Sequence, residues 1–529
     1  MLRAGFHCKA AIDFNHDAIV TLQVNLKDNL PPASGLTPVE HAFERDLTKF
    51  SPQELEAIIK TQKIDVIVGG PPCQGFSTQG KNHGSRFKQE DPRRHLYRQF
   101  LDYVEHFQPK IFVIENVLGI RTAAGGKYFT AVQHEARILG KDKGLLGYRV
   151  HGQIEKAEDF GVPQKRRRQL IIGIRADLPG YLYGDLKPAK HAMLGTMLGD
   201  AIGDLPTLKA GEGTHIAKYD VQRRERKFLH GARDKYRLNY LINIAQVERT
   251  GILTNHVARP HNARDIRDFQ RLGEGINSSV AMRNGIRFEF PYDKENFKDR
   301  YTRQHRNRLC STIVAHLGKD GLMFIHPTQD RSLTPREAAR VQTFPDWFVF
   351  PEARTHAFRM IGNAVPPLIG EAVGNTILDF LTKLKAANLN TKSADNVFIP
   401  ENDPEAVIRL AAAAVLSPKE LQMLPLDGFL KSWHALFWLF PGLHPDNALD
   451  HGKQTATWTE ANKIMPDIPT ESQKYHVRSG WPVPLTGIGD EAWRRYESRE
   501  ITDDEFYCAE AQHAGICWHA NMKLEDEIS

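Results

Sequence analysis

An α/β fold on an open, largely parallel sheet is what this chain predicts, and three observations predict it. Short apolar runs rich in β-branched residues occur at 64–68, 111–117 and 169–174, too short for helices and apolar enough for buried strands. Stretches with helical spacing lie between and before them, at 51–60 and 96–107. Each run also ends in polar or turn-forming residues, and open α/β sheets place their ligands at the carboxyl ends of strands.

Taken in order, residues 9–13 read as a strand ending in Asp13, and 16–25 as a helix with Ala18 and Leu22 inward. Asp13 has two readings of equal weight. It is a strand-end acid accepting from ribose hydroxyls, with Phe14 beside it to stack on an adenine, or it is a helix-capping aspartate. Residues 51–60 form a helix that Ser51, Pro52 and Glu54 start as a capping box.

The stretch 64–77, IDVIVGGPPCQGFS, organises the rest. Gly69, Gly70, Pro71 and Pro72 stop the strand and stiffen its exit. Cys73 therefore sits on a rigid turn at a strand end, while Gly75 and Ser77 leave room for a flat substrate. A free thiol is only a few per cent ionised near neutral pH, so a nucleophilic role needs activation by positive charge or backbone N–H groups. The other reading is a buried structural cysteine.

Residues 111–117, IFVIENV, form a second buried strand that Glu115, Asn116 and Val117 end. A carboxylate there is costly to bury without a partner, and that cost favours a proton-holding role; a solvated strand-end acid is the alternative. In 157–168, AEDFGVPQKRRR, Gln164, Arg166 and Arg168 alternate, which puts them on one face of an extended segment. A solvated basic face is the competing reading.

Between 177 and 308 the alternation of strand and helix breaks down. Basic runs at 223–227, 264–271 and 303–308 are interleaved with Tyr219, Tyr236, Tyr240 and Phe269. This mixture suits phosphate contacts plus a few groove-reading side chains, or else a solvated accessory domain. Regular structure returns at 308–314 and 330–346, where Thr334, Pro335 and Glu337 start a helix, and IGNAVPP at 361–367 opens a last long helix. The polar stretch 384–404 reads as a linker. Residues 405–529 carry a core of their own, with Trp433, Phe437, Trp438, Trp458 and Trp518, and no recognisable motif.

The 529 residues suffice for a large α/β domain and one or two smaller ones. A net charge of +6 permits a polyanionic partner. The five cysteines are odd in number and scattered, which argues against a disulfide framework. Cys508, Cys517, His513 and His519 fit no common zinc spacing, so no metal is expected. No apolar run is long enough to cross a bilayer, and the N-terminus lacks a signal-peptide pattern.

The PPCQGFS turn resembles the catalytic motif of the DNA cytosine-5 methyltransferases. Five further blocks follow that family's order: Asp13 with Phe14, DPRRHL at 91–96, ENV at 115–117, QKRRR at 164–168, and the pair DRSLTPREAARVQTFPD with IGNAVPP. The resemblance covers residues 1 to about 380. It implies a Rossmann-like, S-adenosylmethionine-dependent methyltransferase sheet with an inserted target-recognition domain and a C-terminal accessory domain. The implied boundaries are 1–176 and 309–383 for the catalytic domain, 177–308 for target recognition, 384–404 for the linker and 405–529 for the accessory domain. It assigns catalysis to Cys73, Glu115, Arg166 and Arg168, the arginines binding the target nucleotide and its phosphate. The cofactor falls to Asp13, Phe14, Asp46, Leu47, Pro71, Leu96, Asn363 and Val365. Asp13 is shorter than the family's usual glutamate.

The implied partners are double-stranded DNA, gripped by a monomer, and a cognate restriction endonuclease, in a bacterial or phage cytoplasm close to the nucleoid. Two other readings stay open: an RNA cytosine-5 methyltransferase, and a DNA-binding remnant without activity. The family's opening FxGxGG loop has no counterpart here, since Ala4, Gly5 and Phe6 align with the end of the helix that follows it. A gap in the sheet and weak cofactor binding are the expectations drawn from that.

Overall fold

The computed structural model describes residues 1–71, 96–140, 143–145, 147–175, 178, 186–219, 231–246, 251–290, 301–319 and 321–386. Cys73, the 91–95 stretch, the 223–227 basic run and residues 405–529, expected to form an accessory domain, lie outside the described residues. Two compact units emerge, one from Met1–Lys49, Glu155–Arg167 and Lys187–Asn375, the other from Phe50–Ile154 and Arg168–Leu186 with the chain from Thr376.

The first unit begins with β1 (Ala10–Asp13), α1 (His16–Gln23) and β2 (His41–Glu44); the two strands pair in parallel, Ala10 opposite His41 through Asp13 opposite Glu44. The side chain of Asn15 starts α1 by accepting from the Ala18 amide at 3.0 Å. Ile19 and Thr21 are its buried residues, whereas Ala18 and Leu22, expected inward, are half-buried. The inward face is set by the following turn, where buried Asn25 exchanges hydrogen bonds of 2.8 and 2.7 Å with the Val349 backbone.

The second unit contains α2 (Pro52–Ile59), β3 (Val66–Gly69), α3 (Tyr97–Phe107), β4 (Ile111–Asn116), α4 (Lys127–Arg137) and most of β5 (Tyr148–Lys156) and β6 (Arg167–Arg175). Ser51 and Glu54 form the anticipated capping box on α2. The sheet order is β3-β4-β6-β5. β3 and β4 are parallel, as the strand readings required, but β6 runs antiparallel to β4. Phe100, Val104, Phe112, Val132, Tyr148 and Ile171 fill the core. Gly173 is required beside Phe112, since a Cβ there would meet its ring at 2.0 Å.

The chain then returns to the first unit with the antiparallel pair β7 (Gly213–Lys218) and β8 (Ile252–Val257), then α5 (Ala263–Gln270), α6 (Pro335–Val341) and α7 (Arg354–Asn363). The last helix is α8 (Pro367–Ala386). Thr334 and Glu337 complete the capping box of α6, which is packed with buried charge. Arg331 grips Glu337 through bonds of 2.8 and 2.7 Å, and Arg340 binds Asp346 at 2.9 and 2.6 Å and Asp204 at 2.6 Å. Each buried ion thus has partners at hydrogen-bond distance, the condition for its burial to be tolerated.

Two expectations change here. IGNAVPP does not open the last helix; Ile361, Gly362 and Asn363 end α7, Ala364 to Pro366 form the turn, and Pro367 starts α8. The tandem prolines explain this, since the residue before a proline is pushed out of helical geometry. The aromatic residues assigned to groove reading are also largely internal, Tyr219, Tyr240 and Phe269 being 6%, 1% and 0% exposed. Many neighbouring cations are paired within the unit. Arg267 and Arg271 bind Glu289, Arg306 binds Glu274, and nearly buried Arg303 binds Asp330.

Candidate functional site

Parallel pairing of β3 and β4 sends two chain segments out of the sheet side by side. Gly69 lies opposite Ile114, so Gly70 and Pro71 leave next to Glu115 and Asn116. A Cβ on Gly70 would come within 3.3 Å of Glu115 Oε2, tight enough that the small residue is favoured. Asn116 is 3% exposed, and its Nδ2 donates to the Pro71 carbonyl at 3.2 Å while its Oδ1 accepts from the Val117 amide at 2.9 Å. Asn116 therefore holds Pro71, which lies two residues before Cys73 in sequence. The sequence reading did not single it out, although an amide directly after Glu115 at a strand end was a usable signal.

Glu115 has the partner that its burial demanded. Arg168 Nε stands 2.6 Å from its Oε1, with the two side chains 13% and 19% exposed. β6 delivers the arginine, because Glu115 faces Leu170 across the antiparallel ladder and Arg168 lies two residues further along the same face. The pair forms a charged, mostly dehydrated edge beside the Gly70–Pro71 backbone. Such an edge can hold the hydrogen-bonding rim of a flat heterocycle.

Arg166 has a different part from the one expected. It is 0% exposed, and its guanidinium donates to the carbonyls of Ile313 (2.8 Å), Gly362 (3.0 Å) and Ala364 (2.9 Å). Donors committed to three buried carbonyls are turned away from a substrate. Gln164, equally buried, donates to Gln342 Oε1 and accepts from the Ile313 amide at 3.1 Å, while Gln342 donates to the Ile361 carbonyl at 2.6 Å. Alternation holds along the segment, since Lys165 and Arg167 are exposed. The inward residues brace the turn bearing Asn363, which is exposed, and Val365, which is half-buried.

In the first unit, Asp13 ends β1 and Asp46 follows β2, so both lie at the carboxyl edge of the parallel pair. The helix-capping reading of Asp13 does not hold, since Asn15 caps α1; Asp13 Oδ1 accepts from the Asn15 amide at 2.8 Å while the side chain stays exposed. Asp46 Oδ1 binds the Thr48 amide (3.0 Å) and hydroxyl (2.8 Å), and these bonds hold its carboxyl below the ordinary range. Among the described residues the other oxygen of each acid has no hydrogen bond, and Phe14 between them in sequence is 70% exposed. Two carboxylate oxygens and an exposed ring on one strand edge fit the hydroxyls and flat base of an adenosine. Leu47 is half-buried beside Asp46. In the second unit, Pro71 is held by Asn116 and Leu96 is the N-cap of α3.

Neither described cysteine competes with Cys73 as a nucleophile. Burial pushes the thiols of Cys8 and Cys310 up, and Cys310 is fully enclosed.

A parallel strand pair with a charged edge at its carboxyl ends is where open α/β sheets place their ligands. Known proteins specify the class. The model of the C-5 cytosine-specific DNA methylase family matches residues 1–379. The type II methyltransferase M.DdeI of Desulfomicrobium norvegicum is 32% identical over 370 residues, 66% of this chain and 81% of the relative. M1.HphI of Haemophilus parahaemolyticus is 30% identical over 380 residues, 72% of this chain and 83% of the relative. A solved prophage-encoded protein of Escherichia coli, described as a DNA modification methyltransferase, superimposes with a TM-score of 0.53 at 25% identity, over 72% of this chain and 94% of its own. The chain belongs to the C-5 cytosine-specific DNA methylase family and is an S-adenosylmethionine-dependent enzyme acting on DNA.

Proposed function

We propose that the enzyme methylates C5 of cytosine in duplex DNA through a covalent bond between Cys73 Sγ and C6 of the base, as the modifying half of a type II restriction–modification pair. The observation that carries this reading is the Glu115–Arg168 pair set against Gly70 and Pro71, three residues or fewer from Cys73.

The target base is stacked inside the duplex, so it must first swing out into the site. The Cys73 thiolate then adds to C6, and the electron pair of the C5–C6 double bond moves onto C5. Glu115 binds N3 and the exocyclic amine as the neutral acid and passes its proton to N3 as the thiolate adds, which leaves a carboxylate. Arg168 holds that carboxylate in place and borders the ring. Arg166 acts at one remove, as a positioning residue for the turn carrying Asn363 and Val365. When bound, S-adenosylmethionine supplies the methyl group that C5 takes up. Loss of the C5 proton restores the double bond and expels Cys73. In the first unit Asp13, Phe14, Asp46 and Leu47 receive the adenosine portion, with Asn363 and Val365 as further contacts; in the second, Pro71 and Leu96 keep the cofactor assignment that the resemblance implies. The relatives' type II names support a partner nuclease, and we read the protein as a cytoplasmic monomer on its DNA. Among the described residues no helix is long and apolar enough to cross a membrane.

The test compares labelled methyl transfer to duplex DNA and to transfer RNA, for the wild type and Cys73→Ser. Transfer to DNA, its loss in the serine variant and retained DNA binding are the expected results. Substantial residual turnover, or transfer to RNA alone, overturns the reading. DNA carrying 5-fluorocytosine should become covalently trapped on the wild type only.

A further inference from the structure

We propose that a cavity in the first unit, between the β7–β8 pair and the start of α7, is a phosphate-binding pocket that grips a backbone phosphodiester of duplex DNA away from the reacting nucleotide. This rests on the reading of the protein as a DNA methyltransferase. The cavity holds 360 Å³, and His215, Asn255, Arg354 and Thr355 are among the residues that line it.

Its walls are preorganised. Asn255 sits at φ 58°, and the β7–β8 ladder skips the His215–Asn255 position. The Asn255 side chain clamps the opposite wall, donating to the Phe350 carbonyl at 3.1 Å and accepting from the Phe350 amide at 3.0 Å. An added Cβ on Gly318 would lie 2.8 Å from Thr355 Cα, so that glycine lets the loop before Lys319 approach the start of α7.

Two buried nitrogens in the lining, Arg354 Nε and His215 Nδ1, lack hydrogen-bond partners among the described residues. An unsatisfied buried donor is costly, so an entering acceptor is favoured. Arg259, with Nη1 on the Lys319 carbonyl at 3.0 Å, adds a second guanidinium close by. Burial and the Arg259 charge both weigh against the charged form of Arg354, a penalty that an anion between the two would relieve. Among the described residues Arg354 has no ion pair, and Glu352 is the one acid in the lining. Ala353, the N-cap of α7, supplies no side-chain acceptor to the first-turn amides. A guanidinium fork, an imidazole and open amides match tetrahedral phosphate oxygens, and duplex DNA presents one charge per ~1.7 Å of its axis.

The experiment measures the affinity of the full chain for unrelated duplexes of about 30 base pairs between about 50 and 200 mM salt. For Arg354→Gln the slope of log K against log salt should fall by about one, with the same loss of several-fold or more on every sequence. Arg354→Lys should keep most of the slope. Thr355→Asp, at an exposed position that leaves the fold intact, should repel the phosphate and reproduce the loss even if Arg354→Gln fails to fold. Unchanged slope and affinity in folded Arg354→Gln and Thr355→Asp overturns the proposal. So does a pocket that takes only free ion, seen as thermal stabilisation of wild type by inorganic phosphate that Arg354→Gln abolishes while the DNA slope stays unchanged. Methyl transfer is assayed on the same samples; its absence with the slope change present would defeat the enzymatic reading and leave the pocket standing.

Discussion

At Glu115 a single close contact decides what the side chain can do. Its Oε1 holds Arg168 while Oε2 faces the Gly70 backbone, so the carboxyl group is fixed in orientation before any base arrives. Glu115→Gln keeps the shape but removes the proton donor, and kcat should fall by about 10²- to 10⁴-fold with DNA affinity little changed. Single-turnover kinetics with saturating DNA checks this. Arg166 makes a different prediction. Arg166→Met strands three carbonyls and should lower stability by about 3 kcal/mol or more. Its functional signature is a KM for S-adenosylmethionine that rises more than kcat falls. Arg166→Lys should recover part of the affinity; an Arg166 that touched the target nucleotide would instead depress kcat.

Helix starts and close approaches are decided at the scale of the element. Ser51 and Thr334 head the same capping motif, yet one is partly exposed and the other fully buried. Ser51→Ala should cost about 1 kcal/mol. Thr334→Ala should cost about 2 kcal/mol or more, because the hydroxyl also meets His256 Nδ1 at 3.0 Å and neither partner can turn to water. Urea midpoints of the two variants would rank them. Gly362→Ala inserts a carbon 2.3 Å from the Ala315 amide nitrogen, which α7 can accommodate only by moving. The patterns of β3, β4, α2, α3 and α6 were readable in the chain because period, caps and prolines act within a few residues. The boundary at Asn363 carried a local signal in Pro366 and Pro367 that the reading missed, whereas the direction of β6 rests on its ladder with β4, far earlier in the chain.

Over the whole molecule, pH acts through histidines buried without charge. Burial holds His256 below its ordinary value and brings His261 and His326 to about 4. In the unfolded chain these groups titrate near ~6.5. Their contribution is therefore complete above that pH and is lost as pH falls towards 4, because the unfolded state binds protons that the native state refuses. Glu337, held low by Arg331, adds a second loss below the ordinary glutamate range. Denaturant midpoints measured from pH 7.5 downward should decline first through the histidine window, and His326→Gln should flatten that first decline.

The chain by itself determined the strands that end at Asp13, Gly69 and Asn116, the helix caps at Ser51 and Thr334, and the order of blocks that marks the family. Each of these follows from local sterics and hydrogen bonding along a few residues. Only the tertiary structure decided which cations are enclosed and what each one binds. Arg166 and Arg168 are two residues apart and chemically alike, yet one is enclosed by carbonyls far away in sequence and the other meets Glu115. Tyr219, Tyr240 and Arg303 were likewise indistinguishable in sequence from a nucleic-acid surface until packing enclosed them. Burial and long-range partners set the energy of a charge, and neither is written in its immediate neighbours.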